Sequence, residues 1–120
     1  MRTYTIDELD ATTVQHLEER LLEAGYASDI EKLFWLPLEE DQLSALQQEH
    51  KESCGPHCLA LEVLEDGVRL ELLIRAKGRM RCECVHYASP ETQQAVIARL
   101  NALLEAIQTD ELEHVFGTCC

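Results

Sequence analysis

Two alternating apolar stretches flank Asp66-Gly67, and no other feature constrains the fold of this chain as strongly. Leu59, Leu61 and Val63 recur at a two-residue period before the dipeptide, and Leu70, Leu72 and Ile74 recur at the same period after it. Asp-Gly tolerates the positive φ of a tight hairpin turn. A two-residue turn there pairs Glu65 with Val68. It sets Leu59 beside Ile74, Leu61 beside Leu72 and Val63 beside Leu70. All six side chains then share one face, and that face has to be buried.

A second turn near Lys77-Gly78 decides where the following residues point. A two-residue loop would press Arg81 and Glu83 onto the apolar face, which is costly for unpaired charges. A three-residue loop pairs Ala76 with Met80 instead, placing Cys82 beside Ile74 and Cys84 beside Leu72. The spacing therefore predicts a three-stranded antiparallel meander over residues 58–87, with Met80, Cys82, Cys84 and His86 on the covered side.

Three strands cannot bury their own face, so helices must cover it and the fold class is α+β. The first 52 residues read as short helices. Thr5-x-x-Glu8 and Thr12-x-x-Gln15 both have the form of a capping box, Val14, Leu17, Leu21 and Ala24 follow at helical spacing, and Gly25 is a natural stop. Ser28-x-x-Glu31 predicts a second short helix carrying Ile30, Leu33 and Phe34, which Pro37 ends unless it opens the next one. Leu43, Leu46 and His50 share a face of a third helix running out near Glu52. Phe34-Trp35-Leu36 is read as core packing. Ser89-Pro90-Glu91 opens a C-terminal helix over residues 89–108 with a stripe of Val96, Leu100, Leu103 and Ile107. Residues 109–120 form a tail. At 120 residues the whole chain, 1–120, reads as one domain.

Six cysteines stand out in a chain of this length. Cys54-Gly55-Pro56-His57-Cys58 precedes the first strand of the meander, and Cys82-Glu83-Cys84-Val85-His86 falls on the third. Four soft thiolates with imidazoles beside them suit zinc or an iron–sulfur centre, and zinc is the expected metal. The candidate ligands are Cys54, Cys58, Cys82 and Cys84, with His57 or His86 replacing Cys58 if strand parity turns it away. The spacing C-x3-C with C-x-C departs from the usual C-x2-C of zinc fingers and ribbons. Cys82 and Cys84 as small buried hydrophobes are the plainer alternative.

Cys54-Gly-Pro-His-Cys58 also resembles the redox box of thioredoxin-like proteins over five residues. Three residues separate the cysteines here instead of two, and the box precedes a strand instead of opening a helix, so the family's role is not transferred. A thiol-redox protein using Cys54 with Cys58, or Cys82 with Cys84, is the alternative function. An acidic module that docks a protein partner, its cysteines only packing the core, is a further one. Cys119-Cys120 read as loose thiols at a frayed end.

The formal charge is −13, from ten basic and 23 acidic side chains. Such a chain repels phosphate backbones and anionic lipid, so neither nucleic acid nor membrane is expected as a partner. The N-terminus lacks a basic region followed by an apolar stretch, and the expected location is cytoplasmic, where thiols stay reduced. No nucleophile elbow, zincin motif or dinucleotide fingerprint is present, and the chain is read as a non-enzyme.

Overall fold

The computed structural model of the chain describes residues 2–79 and 81–117. Met80, and with it the expected pairing of Met80 with Ala76, lies outside the described residues, as do Cys119 and Cys120. The elements run β1 (Thr3–Ile6), α1 (Ala11–Glu23), β2 (Leu33–Pro37), a 3-10 turn (Glu40–Gln42), α2 (Ala45–Glu49), α3 (Lys51–Cys54), β3 (His57–Val63), β4 (Val68–Glu71), β5 (Leu73–Ala76), β6 (His86–Tyr87) and α4 (Pro90–Gly117). The class is α+β, as the sequence indicates, but the partition differs.

The sheet holds six strands among the described residues, all paired antiparallel. β3 lies at its centre. β2 pairs one edge of β3, and β4 and β5 together pair the other. β1 extends the sheet beyond β4, and β6 extends it beyond β5. Far from the turn the register is the expected one, with His57 opposite Ala76 and Cys58 opposite Arg75. Near the turn it is shifted by two residues, so that Val63 faces Val68 and Leu61 faces Leu70. The two extra residues are taken up around Leu72, where β4 gives way to β5. The Leu72 N–H donates to Arg2 O at 3.1 Å and its carbonyl accepts from Ala88 N at 3.0 Å, so the interruption leaves neither group unpaired. A two-residue shift preserves parity, and the apolar set stays on one face.

Leu59, Leu61, Val63, Val68, Leu70, Leu72 and Ile74 are all buried. Val14, Leu17 and Leu21 of α1 join them in one cluster with Val96, Leu100, Leu104 and Ile107 of α4. Each such leucine contributes about 1.5–3 kcal/mol by leaving water. Leu103, expected in the stripe, is only half-buried, and Leu104 takes the inward position. Ser89 caps α4 as expected, its Oγ accepting from Thr92 N at 3.2 Å. The helix continues through the expected tail to Gly117. Its extra turns meet α1, where Glu111 accepts from Thr13 Oγ1 and lies 2.9 Å from His16 Nδ1.

Three expectations are corrected. Residues 3–6 form a strand, because Thr3-Tyr4-Thr5-Ile6 alternates and adds to the free edge of β4. Helix α1 therefore begins at Ala11 with Asp10 before it. Residues 33–37 form β2, not a helix. Ser28 Oγ accepts from Ile30 N at 3.0 Å and donates to Leu33 O at 2.7 Å, so the serine closes a turn that delivers Phe34 and Leu36 to the core. Cys82 and Cys84 do not lie on a strand. Both fall in a loop after β5, and β6 pairs His86 with Ile74, the position the sequence assigns to Cys82.

Candidate metal centre

The helical segment before β3 carries half of the candidate site. Ser44 caps α2, with Oγ accepting from Gln47 N at 3.2 Å while Gln47 Oε1 accepts from Ser44 N at 3.0 Å. His50 stands between α2 and α3, as the C-cap of the first and the N-cap of the second. Its N–H donates to Leu46 O at 3.0 Å, and its carbonyl accepts from Cys54 N at 2.7 Å. His50 and Cys54 are thus four residues apart on one helical face, where side chains meet.

The loop after β5 brings the other half. Gly78 N donates to Cys54 O at 2.7 Å, and Lys77 N donates to Pro56 O at 3.0 Å. Val85 N donates to Cys82 O at 3.0 Å and closes a turn around Glu83 and Cys84. The fully buried Gln47 donates from Nε2 to Cys84 O at 2.9 Å. One glutamine therefore caps α2 and holds the second half of the site against the first.

The side chains that result converge. One donor atom from each of His50, Cys54, Cys82 and Cys84 lies within 4.8 Å of all the others. Cys54 Sγ is 3.7 Å from Cys82 Sγ and 3.6 Å from His50 Nδ1, and His50 Nδ1 is 3.1 Å from Cys82 Sγ. A tetrahedral zinc with bonds of about 2.3 Å to sulfur and 2.0 Å to nitrogen spans edges of about 3.8 Å between sulfurs and 3.5 Å from sulfur to nitrogen. Two of the three distances match, and the His50–Cys82 edge has to widen by about half an ångström. Cys54 and Cys84 are buried, while His50 and Cys82 are half-buried. Ala76 completes a small apolar floor beneath them, with Leu46 and Val85 at its sides.

Electrostatically, the two loop thiols differ. Burial pushes Cys84 up to about 12, whereas hydrogen bonding from the Cys84 backbone, with smaller contributions from the Cys84, Cys54 and His50 side chains, draws Cys82 down to about 7. Without a cation, Cys84 keeps its proton. A divalent ion reverses that preference, because a coordinating thiol is deprotonated.

The remaining expected ligands fall elsewhere. Cys58 lies within β3, and parity turns it to the face opposite His57 and Leu59. It is buried, and the desolvated thiol is pushed up to about 11 from an ordinary 9.0, against opposing pulls from Lys77 and Arg75. His57 is buried beside the cluster, with Nε2 at 3.4 Å from Cys84 Sγ and Nδ1 without a hydrogen-bond partner. Burial, and then the neighbouring His50 and His86, lower its pKa, so it is a neutral imidazole at pH 7. His86 is engaged away from the cluster, at 3.1 Å from both Ser44 Oγ and the Tyr87 carbonyl. His50 is the candidate ligand that the sequence leaves out of the expected set. Its signal is the H-x3-C spacing, legible once the third helix is carried past Glu52 to Cys54.

The position of Cys58 has a consequence for alkaline stability. The folded state holds the neutral thiol, and this contribution is whole below pH 9.0, where the unfolded chain is protonated too. It is lost as pH rises through about 11. Cys58→Ala is expected to flatten the fall in unfolding free energy over that window, measured by denaturant titration at successive pH values. An unchanged slope would place the thiol in water in the folded state.

Comparisons with protein-family models, curated proteins and solved structures find no match to this chain. Among the described residues, no helix is long and apolar enough to cross a membrane. Fold and site together define a small acidic α+β protein with a candidate metal centre of one histidine and three cysteines, set between its helical segment and the loop after β5.

Proposed function

We propose that the chain is a non-catalytic module whose fold is closed by one zinc ion, held by His50 Nδ1 and by the Sγ atoms of Cys54, Cys82 and Cys84. The observation that carries this reading is the convergence of the four donors within 4.8 Å. Three sulfurs and one imidazole nitrogen form a soft donor set, and zinc accepts such a set tetrahedrally. Four protein ligands leave no position for water or substrate, the arrangement of a structural centre. Three thiolates and one divalent ion leave a net −1. A neutral His57 donating from Nε2 to the Cys84 thiolate moderates that charge, as hydrogen bonds around metal ligands do elsewhere.

The energetic case follows from where the ligands sit. The short helices α2 and α3 and the loop after β5 have little apolar surface to hold them, and their buried cluster is small. Structural zinc contributes about 10–16 kcal/mol of apparent binding energy in zinc-finger peptides, comparable with the whole stability of a domain. A high-affinity chelator is therefore expected to lower the thermal midpoint by at least about 10 °C, and zinc but not magnesium should restore it. Melting curves that overlay with and without chelator would refute a structural role.

A further inference from the structure

We propose that Cys54 and Cys82 form a peroxide-sensitive thiol pair whose oxidation expels the metal. The inference rests on the zinc reading above and adds a covalent chemistry to the same site. Its basis is an asymmetry among the cysteines. Cys82 is half-buried, at the outer side of the cluster, whereas Cys54 and Cys84 are 1% and 0% exposed. A small oxidant entering from solvent meets Cys82 first. Cys54 Sγ stands 3.7 Å from Cys82 Sγ, and formation of the S–S bond requires an approach of about 1.7 Å. The two segments are already tied by the hydrogen bond from Gly78 N to Cys54 O.

The other pairings are less favourable. Cys82 and Cys84 are separated by one residue, and their disulfide would close a small ring within a turn already fixed by hydrogen bonds from Val85 N to Cys82 O and from Gln47 Nε2 to Cys84 O. Cys58 lies on the opposite face of β3.

The reaction balances with one hydroperoxide. The Cys82 thiolate attacks the distal oxygen of hydrogen peroxide, the O–O bond breaks, and a sulfenic acid forms while hydroxide leaves. The Cys54 sulfur then attacks Cys82 Sγ, the S–O bond breaks, and a second hydroxide leaves. Two sulfurs lose two electrons in total, and the peroxide is reduced to two waters once two protons are taken up. Two of the four metal bonds are gone, and His50 with Cys84 alone no longer encloses the ion. A dithiol reductant returns both thiols and the site.

The test uses the full chain loaded with one equivalent of zinc, whose metal content is measured before any oxidant is added. One equivalent of hydrogen peroxide should consume two thiols, release one zinc to a chromogenic chelator and yield a Cys54–Cys82 linked peptide. Reductant should restore zinc uptake. Cys58→Ser, which leaves the cluster intact, should behave identically. Zinc that stays bound through peroxide treatment would overturn the proposal while leaving the structural centre standing. A mapped disulfide at Cys82–Cys84, or one involving Cys58, Cys119 or Cys120, would also overturn it. Protein that takes up no zinc at the outset would instead count against the metal centre, and the peptide map of its peroxide-treated form would still decide the thiol pairing.

Discussion

Cys54→Ser and Cys84→Ser are each expected to strip the metal and lower the melting temperature by roughly 10–20 °C, whereas Cys58→Ser should retain both metal and fold. All three positions are buried cysteines and all three replacements insert a hydroxyl, so the cost of burying that group is common to the series. The variants differ in where the sulfur points. Cys54 and Cys84 point into the cluster with His50, and Cys58 points to the other face of the central strand. Serine does not replace a thiolate as a zinc ligand, and loss of one of four ligands weakens a binding whose energy is also folding energy. A net loss of about 3–4 kcal/mol is a large fraction of the stability of a domain this size. Elemental analysis of the three purified variants, beside their melting curves, checks the ranking. Metal retained in Cys54→Ser and lost from Cys58→Ser would reverse it.

Gly78→Ala is expected to cost about 2–4 kcal/mol and to weaken zinc binding as well. A Cβ at this position would stand 2.8 Å from both the Cys54 and the Gly55 carbonyl oxygens. Those are backbone atoms and cannot swing aside as a flexible side chain would. The adjustment left to the chain is to move the loop away from the end of α3, which breaks the Gly78 N to Cys54 O bond. That movement separates Cys54 from Cys82 and Cys84. Gly25→Ala supplies the control. Its φ of +81° makes alanine strained by about 1–2 kcal/mol, but nothing lies within 4 Å and the site is not involved. Gly78→Ala should therefore lose zinc to a competing chelator at lower concentration than wild type, and Gly25→Ala should not. Equal zinc affinity in all three proteins would dissociate the loop from the centre.

Much of the sheet is legible in the chain because one physical rule governs it. Leu59, Leu61 and Val63 must face the way that Leu70, Leu72 and Ile74 face, and any register that respects this keeps the parity observed. The rule does not distinguish registers two residues apart. The hairpin at Asp66-Gly67 therefore forms where the dipeptide indicates, yet its nearest strand pair is Val63 with Val68 and not Glu65 with Val68. Strands β1 and β2 are harder to see, because Thr5-x-x-Glu8 and Ser28-x-x-Glu31 imitate helix caps. Ser28 makes its hydrogen bonds within a turn, and tertiary pairing with β3 then decides the conformation of Phe34-Trp35-Leu36. Short segments of this kind have little local preference of their own.

The candidate centre is legible in part for a related reason. Cysteine spacing brings Cys54, Cys82 and Cys84 into consideration, and the parity of β3 supplies the reason that Cys58 is excluded once the strand begins at His57. The two cysteines of the C-x-C motif meet Cys54 from a loop, not from a strand, because β6 begins only at His86. Nothing in a two-residue period reveals such a loop. His50 belongs to a helical period that continues through α3, so its signal in the sequence is one further turn of helix and not a metal motif.

The most direct test of the proposed zinc centre is the metal content of protein purified without an affinity tag and kept reduced throughout. One zinc per chain, with Cys54, Cys82 and Cys84 protected from alkylation until a chelator is added, is the result predicted by the convergence of His50 with these three thiols. Protein without stoichiometric metal, folded and with the same melting curve in the presence of added zinc, would contradict it and leave the cluster as packing.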